Sequence, residues 1–594
     1  MKNGQNFVLV LIIILSCCVH FWGLNWFTPS KQKNLQIFGT EEGIKKYLPE
    51  MLRLRQEFYQ ETKQIYATLD HDKIAEKIDE VRGHHLKTKP FEVLPQTIVL
   101  DAARGYFTGH GDERHTIVAL SNINPLKFDF NPDEYAYGGF YFYSAGTILM
   151  LGKLLGFVSL PRDIYYYFLN PNEVSKMYVL ARLLSVLSII PVILLLYFIV
   201  KLFWGRKAAL LSTIFLSFSS LTIIYTHFAK PHIYSMFWIL LGLCFCAKIL
   251  SGGQRKHYIY AGIAFGLATG TLITNVMSIF LLLLTEFLRN NLQVKKIFNR
   301  NLLFGLITSL FVFLLVNSYL PFHLKDFFTR SQELSIVFQY GVLNLKSSLF
   351  FLQQMFTMQI SLIFLPLIIS GIIFLSQHQP KQSKLCNYNS DTTKFSKLIL
   401  VYPLLHLSGN TLFLRHEGVF AMMLPFFSIY FALGVIWLSK LGSNQLRKLS
   451  IVYSVVAITF LFVNAIFQSS LFLREGNLTR AGEWINKNIP VSSTIATPDG
   501  YFFDITLPPF SFLNYKLVHF PTNLSRVSPE KNKLPQYIIS VEDSLDISSY
   551  PQIRRYYQLI KSWERKEIFF GITFKKNPLI QTENSQVKIY QLVN

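Results

Sequence analysis

The stretch GHGDERH, residues 109–115, brings together side chains that can accept protons and side chains that can bind anions. Asp112 and Glu113 are adjacent carboxylates, with basic residues on both sides. A carboxylate can act as a general base toward a hydroxyl group, and Arg and His can hold an anionic leaving group. The segment lies between long apolar runs, so its chemistry depends on the elements that position it.

The composition indicates a polytopic membrane protein. Of the 594 residues, 51% are hydrophobic and 15% are charged, whereas soluble domains carry about 25% charged residues. The mean hydropathy is +0.32. Apolar runs recur near the length of roughly 20 residues that crosses a bilayer. Four of the five cysteines fall inside these runs, so no disulfide framework is predicted.

We predict about eleven transmembrane helices from these runs. They are centred on residues 7–26, 177–201, 208–228, 232–250, 258–274, 276–289, 302–320, 358–377, 396–411, 417–438 and 450–471. The fifth and sixth form one long helix or a hairpin broken at Thr274 and Asn275, and the polar break favours the hairpin. The first run is interpreted as a retained helix or signal anchor.

Basic residues assign the loops to the two sides of the membrane. Lys and Arg concentrate in the loops near 206, 255, 295, 384 and 447 and are scarcer in the alternating loops. By the positive-inside rule these loops are cytoplasmic, which explains the net charge of +22 without a nucleic-acid partner. The prediction is an integral protein of the plasma (inner) membrane, with a cytoplasmic N-terminus and an extracytoplasmic C-terminal domain.

Two large segments then lie on the outer face. Residues 27–176 form a long first external loop, which contains GHGDERH, a helical hairpin at 41–86 and an interfacial or re-entrant helix at 140–158. Residues 472–594 read as helix, turn and strand, and predict a small α/β domain. The predicted domains are therefore 1–471, a transmembrane domain that includes the external loop, and 472–594.

Ionisable groups gather at the predicted outer ends of the helices, where such residues tend to be functional. Besides Asp112 and Glu113, they are Lys230 and His232 in HFAKPHIY, His323, Lys325 and Asp326 in PFHLKDFF, and Arg415, His416 and Glu417 in LFLRHEG. A carboxylate facing a cationic cluster just above the lipid suits glycosyl transfer from a polyprenyl-phosphate sugar, because the cations stabilise the departing phosphate.

The string GHGDERHTIVALSNINPLKFDFNPDEYAYGGFYFYSAG resembles the first external loop of GT-C-fold membrane glycosyltransferases. These include the family-39 and RgtA/B/C/D-like enzymes, which are related to protein O-mannosyltransferases and aminoarabinose transferases. The resemblance continues through Arg182, Gly205-Arg206 and the H-F-A-x-P segment. LRHEGVFAMMLP is similar to the late R-Y-x-x-P-x-x-P segment, with Arg415 in the Arg position. The implied fold is a GT-C-like helical membrane domain.

The resemblance implies an inverting transfer of a sugar to a glycan, lipid or protein acceptor. Asp112, with Glu113 as its catalytic partner, would deprotonate or orient the acceptor hydroxyl. Arg415, His416, Lys230 and His232 would hold the lipid phosphate. Some relatives use a divalent cation and others do not, and the sequence contains no metal-ligand spacing. This chain departs from the family by the long insertion before Asp112 and by His232 at a position that is often acidic.

Each of these groups also has a structural interpretation. Asp112 and Glu113 follow two glycines and fit a solvated turn, Lys230 and His232 fit a helix break at Pro231, and Arg415 fits a snorkelling anchor. Asp133 and Glu134 form a rival acidic pair, with a turn or helix cap as the alternative. A transporter or flippase of lipid-linked glycans is the rival function, and a non-catalytic membrane scaffold is the third.

Overall fold

A computed structural model describes most of the chain. The described residues are 3–68, 92–107, 111–293, 299–337, 343–377, 390–414, 416–440, 442–473, 476–498, 507–520, 534–541, 551–564, 568–569, 572–573 and 585–593. The second arm of the predicted 41–86 hairpin and the predicted site residue Arg415 lie outside them.

The described residues are mostly α-helical. The helices are α1 Asn3–Phe21, α2 Lys31–Phe38, α3 Glu41–Thr68, α4 Gln96–Gly105, α5 Gly111–Asn122, α6 Gly139–Leu154, α7 Ile164–Leu169, α8 Pro171–Phe218, α9 Ser220–Thr226, α10 His232–Gly252, α11 Arg255–Thr271, α12 Ile279–Arg289, α13 Arg300–Val316, α14 Leu324–Val337, α15 Leu345–Gln354, α16 Leu365–Ser376, α17 Ser390–Gly409, α18 Glu417–Ala421, α19 Leu424–Leu438, α20 Asn444–Leu471, α21 Asn477–Asn488 and α22 Pro551–Arg554. The strands are β1 Thr494–Pro498, β2 Lys516–Phe520, β3 Tyr537–Val541, β4 Tyr557–Trp563, β5 Ile568–Phe569, β6 Ile572–Thr573 and β7 Val587–Leu592.

The chain divides into two compact units. The helical unit comprises Met1–Leu24, Thr116–Leu151 and Val179–Ser470. The mixed unit comprises Asn25–His115, Gly152–Tyr178 and Leu471–Asn594. The C-terminal segment thus shares its unit with most of the long polar segment that follows α1. The domain boundaries drawn from the sequence stay a prediction.

Among the residues that the structure describes, three helices are long and apolar enough to cross a membrane, namely α8, α10 and α20. A bent pair at 345–376 would make a fourth if it forms one span. This finding supports an integral membrane location. All eleven predicted segments overlap helices, but the number of crossings remains a prediction. Helix α8 kinks at Gly205, whose φ of 80° and ψ of 176° are not helical. The predicted break at Thr274 falls in a 3₁₀ turn, Ile273–Ser278, between α11 and α12.

Small residues allow helices of the helical unit to approach closely. A Cβ atom on Gly371 of α16 would lie 1.9 Å from the carbonyl oxygen of Tyr430 in α19. A Cβ atom on Gly434 of α19 would lie 1.8 Å from the carbonyl oxygen of Leu367 in α16. The two backbones therefore touch, as is common where small residues line helix contacts in membranes.

A buried polar cluster around Glu286 joins α11 and α12 to the start of α13. Glu286 is fully buried, and its carboxylate accepts hydrogen bonds from the hydroxyl of Tyr258 and from the side-chain amides of Asn290 at 2.6 Å and Asn299 at 2.5 Å. The Arg289 guanidinium lies 3.4 Å from the same carboxylate and 3.1 Å from the Tyr258 hydroxyl. We call this set the Glu286 cluster.

The mixed unit is built on a five-stranded sheet with the order β2-β1-β3-β7-β4. Strands β2, β1 and β3 are parallel, and β7 is antiparallel to β3 and β4. The predicted strands YIISV and VKIYQLV are confirmed as β3 and β7. Strand β2 lies at the edge of the sheet, and its Leu517 carbonyl accepts a hydrogen bond from the Leu94 amide at 2.7 Å. Residues of α4 and α21 pack into the same core as the sheet.

Candidate functional site

The segment HFAKP, residues 227–231, forms a break between two helices of the helical unit. Helix α9 ends at Thr226, and α10 begins at His232 directly after Pro231. Proline is tolerated at the start of a helix because the first amides have no intrahelical acceptor. Hydroxyls from two other helices hold the break. Thr116 of α5 donates to the Ala229 carbonyl at 2.9 Å, and Ser185 of α8 donates to the Lys230 carbonyl at 3.1 Å.

The side chain of His232 is positioned by the aromatic rings and the glycine that surround it. Its side chain is buried, and its ring centroid lies 4.6 Å from that of Tyr225 and 6.5 Å from that of Tyr137. A Cβ atom on Gly418 would lie 2.0 Å from His232 Nε2. Only glycine at position 418 therefore leaves room for the imidazole.

His416 lies beside His232, although the two residues are far apart in the sequence. Their rings are nearly parallel, with an interplanar angle of 5° and centroids 6.2 Å apart. The structure thus brings together two of the four residues predicted to hold a phosphate. We call them the imidazole pair.

Local hydrogen bonds fix the orientation of His416. It is the N-cap of α18, and its Nδ1 accepts a hydrogen bond from the Gly418 amide at 3.1 Å. The Asn410 side chain accepts from the His416 amide at 3.0 Å and donates to the His416 carbonyl at 3.1 Å. Because Nδ1 is the acceptor, a neutral His416 ring carries its proton on Nε2. His416 can therefore donate a hydrogen bond to an anion without being charged.

Lys230 is mostly buried. Its ammonium group lies 5.2 Å from the centroid of the Phe228 ring, a cation–π distance. Lys230 is two residues from His232 in the sequence.

The acidic pair lies on α5, within the part of the helix assigned to the mixed unit. Glu113 is fully buried. It therefore does not lie in the solvated turn that was the structural interpretation of this pair. Asp112 is in helical conformation. Asp112 and Glu113 precede Thr116 in the same helix by four and three residues.

The rival pair, Asp133 and Glu134, lies in the helical unit. Asp133 has a positive φ of 49°, and its amide donates to the Asn131 side chain at 3.1 Å. Glu134 is buried, and its carboxylate accepts from the Ala136 amide at 3.1 Å. These local bonds are typical of turn residues, as the structural interpretation of this pair states.

The predicted loop residues His323 and Asp326 lie near the rival pair. His323 Nδ1 is 3.2 Å from Asp326 Oδ2, and its Nε2 is 3.4 Å from the Asn131 amide nitrogen. Burial raises the pKa of Tyr135 to about 12, and the carboxylates of Asp133, Asp326 and Glu134 contribute to the rise. Asp326 therefore belongs to the surroundings of Asp133.

Several residues that shape the imidazole pair carry no sequence signal. Tyr225, Gly418 and Asn410 act through close contact or through backbone hydrogen bonds, and neither is visible in a single sequence. Arg182, part of the family pattern, is fully buried and donates to the Leu24 carbonyl at 2.6 Å.

Within the described residues, no group of three or more His, Cys, Asp or Glu side chains could hold a metal ion.

Comparison with known families identifies one segment of the chain. Residues 175–320 match the family model described as dolichyl-phosphate-mannose-protein mannosyltransferase. The resemblance predicted from the sequence is therefore confirmed for this segment, which is about a quarter of the chain and includes α10 to α13. A search of curated proteins found no match.

Solved structures of membrane glycosyltransferases give weaker likenesses. The oligosaccharyltransferase of Archaeoglobus fulgidus matches at 12% identity and a TM-score of 0.41, over 75% of this chain and 65% of that chain. This chain therefore spans just under two thirds of that protein. ArnT from Cupriavidus metallidurans, bound to undecaprenyl phosphate, matches at 11% identity and a TM-score of 0.44, over 81% and 94%. Arabinosyltransferase EmbB from Mycobacterium smegmatis matches at 12% and 0.35, over 67% and 41%. Identities and TM-scores this low do not establish a shared function.

Proposed function

We propose that this protein is a membrane glycosyltransferase of the GT-C class. It transfers a sugar from a polyprenyl-phosphate carrier to an acceptor hydroxyl at the outer membrane face. The observation that carries the proposal is the family match over residues 175–320. That segment contains the HFAKP break and His232, one half of the imidazole pair. The family's donor is a sugar on a lipid phosphate, and this donor class is what we extend to the present chain.

In the proposed reaction, the acceptor oxygen bonds to the anomeric carbon while the bond from that carbon to the phosphate oxygen breaks. The phosphate departs with the bonding electrons, and the hydroxyl proton passes to Asp112 as the general base. Attack opposite the leaving group inverts the anomeric configuration. Glu113 is the second proposed catalytic carboxylate. The likeness of GHGDERH to the first external loop of the GT-C-fold glycosyltransferases supports this assignment.

The departing phosphate needs hydrogen-bond donors and positive charge. We propose that the imidazole pair supplies the donors, with His416 acting through Nε2 because its Nδ1 caps α18. Arg415, the residue next to His416 in the sequence, and Lys230 supply the charge in this proposal. Arg415 suits a phosphate because its planar guanidinium can bind two oxygens at once.

Transfer of labelled sugar from membrane polyprenyl-phosphate donors tests the proposal. For Asp112→Asn we expect transfer to fall by about 10²–10⁴-fold, the usual contribution of a positioned base. The matched control is Asp163→Asn, because Asp163 caps α7 through a side-chain oxygen that Asn retains. Asp133→Asn and Glu134→Gln test the rival pair. Full transfer by a membrane-inserted Asp112→Asn protein would refute the assignment, and loss with Asp133→Asn alone would transfer it to the rival pair.

We further propose that the N-terminus is cytoplasmic and that residues 472–594 are extracytoplasmic. The distribution of basic loops supports this orientation. Epitope tags at each end, digested by protease in sealed vesicles of known sidedness, test it. The tags should lie on opposite sides of the membrane, and protection of both from the same side would contradict an odd number of crossings.

A further inference from the structure

Two loops of the helical unit expose large apolar side chains. Leu126 and Phe128, on the loop after α5, are 83% and 86% exposed, and Phe322, just after α13, is 86% exposed. Phe130, Leu324 and Phe328 are also exposed. We call these six residues the apolar collar. A cluster of apolar side chains this exposed is unfavourable in water, and such clusters mark surfaces that bind a protein, a membrane or a ligand.

Specific contacts hold the two loops together. The Asn131 amide nitrogen lies 3.4 Å from His323 Nε2. The Tyr135 ring packs against Tyr319 and Phe327, with centroids 6.1 Å and 6.3 Å apart. These contacts join the two loops that carry the collar.

The collar continues the apolar surface of α13. This helix has no charged residue after Arg300, and Leu303, Ile307, Leu310, Phe311 and Leu315 are exposed along it. An apolar helix with an exposed apolar face is typical of a helix that faces lipid. At 1.5 Å per residue, α13 is roughly 25 Å long, which is close to the hydrocarbon core of about 30 Å. Phe322 follows its end by six residues, and so it lies near the level where the core gives way to lipid head groups.

The residues between the apolar side chains also suit a head-group layer. Lys127 lies between Leu126 and Phe128, and Lys325 follows Leu324. Helix α14 carries Leu324 and Phe328 four residues apart, which puts them on one face of the helix. Apolar rings combined with lysines that reach lipid phosphates are the usual composition of interfacial segments.

We propose that the apolar collar is a phospholipid-binding surface. Its rings insert at the boundary of the acyl chains, and Lys127 and Lys325 contact lipid phosphates. The partner is the bilayer itself and not a protein, because the collar is continuous with the lipid-facing side of α13. This inference does not depend on the proposed sugar transfer.

Photocrosslinking in nanodiscs of phosphatidylethanolamine and phosphatidylglycerol tests the proposal. A benzophenone amino acid replaces Phe128 or Phe322 in the full chain, and Leu559 serves as the control. Leu559 is 48% exposed on β4 of the mixed unit, far from any apolar span in the sequence. We expect phospholipid adducts at positions 128 and 322 in about tenfold excess over position 559, as detected by mass spectrometry.

Two other outcomes of the crosslinking are possible. Adducts to a second copy of the chain would show that the collar is a dimer interface, and adducts at the control level would show that it faces water. Either result would overturn the proposal. Gel filtration before irradiation confirms that each variant is folded, and the readout does not require sugar transfer. Failure here and failure of the glycosyltransferase assignment are therefore distinguishable.

Discussion

The Glu286 cluster and the imidazole pair are both buried polar groups of the helical unit, yet they are held in different ways. Four side chains bond to the Glu286 carboxylate or lie beside it. His232 is positioned by ring contacts and by the missing side chain of Gly418. The carboxylate is surrounded by donors of its own protein, which suits a structural role. The ring of His416 is oriented by the hydrogen bond that its Nδ1 accepts from Gly418, and we propose a ligand-binding role for the pair.

The two regions show that a buried polar group can contribute to stability or be available for a functional role. A buried charge without partners is costly, so the Glu286 cluster uses its partners to join α11, α12 and α13. A neutral imidazole costs less to bury than an ionised carboxylate. We expect substitutions in the first region to change stability and substitutions in the second to change transfer.

The largest expected effect is that of Glu286→Ala. The substitution removes the acceptor of the Tyr258 hydroxyl and of the Asn299 side-chain amide, and each buried donor left without an acceptor costs about 1–3 kcal/mol. Thermal unfolding in detergent measures the loss. Glu286→Gln should be milder, because the amide retains an oxygen acceptor. A Glu286→Ala protein with unchanged thermal stability would remove the contrast between the two regions.

Gly418→Ala should act on transfer. The new Cβ would lie 2.0 Å from His232 Nε2, so the ring or α18 must move by an ångström or more. A displacement of about 1 Å can cost about 10²-fold in rate. The control is Gly409→Ala, since nothing lies within 4 Å of a Cβ at that position. Equal activity of the two variants would show that the position of His232 is unimportant.

Two substitutions of His416 distinguish its role as the N-cap of α18 from its proposed role in binding the donor phosphate. Asn is a good N-cap residue, so His416→Asn should keep α18 stable while losing the Nε2 donor, and KM for the lipid donor should rise by about tenfold, or 1.4 kcal/mol. His416→Ala should lose the donor and also about 1 kcal/mol of cap stability. If KM stays normal in both variants, His416 serves the cap only.

The smallest expected effect is that of Thr116→Val. Valine has nearly the same shape, so the change removes the hydrogen bond to Ala229 and costs about 1 kcal/mol. We expect a slight fall in the melting temperature and a modest fall in transfer. Ser185→Ala, which removes the bond to Lys230 on the other side of the break, is the matched comparison. A fall in transfer with Thr116→Val alone would single out the helix of Asp112.

The sequence predicted the helical segments because apolar runs are long and local. It also predicted the Thr274 break and two strands of the sheet. It also predicted two helical segments, 177–201 and 208–228, on either side of Gly205, where the backbone of α8 is not helical. His232 and His416 were both selected as ionisable groups at helix ends. Their packing through Gly418 was not predicted, because a close approach between distant segments leaves no local pattern.

The bond between Leu94 and Leu517 has a consequence for biosynthesis. The ribosome makes residues 92–107 long before β2, and every helix of the helical unit from α6 to α20 is made in between. The edge strand that receives Leu94 therefore does not exist while those helices enter the bilayer. Pairing across such a separation forms slowly. Leu100 of α4 has earlier partners in α3, whereas Ile98 and Val99 can pack against the sheet only after the last fifth of the protein has been made.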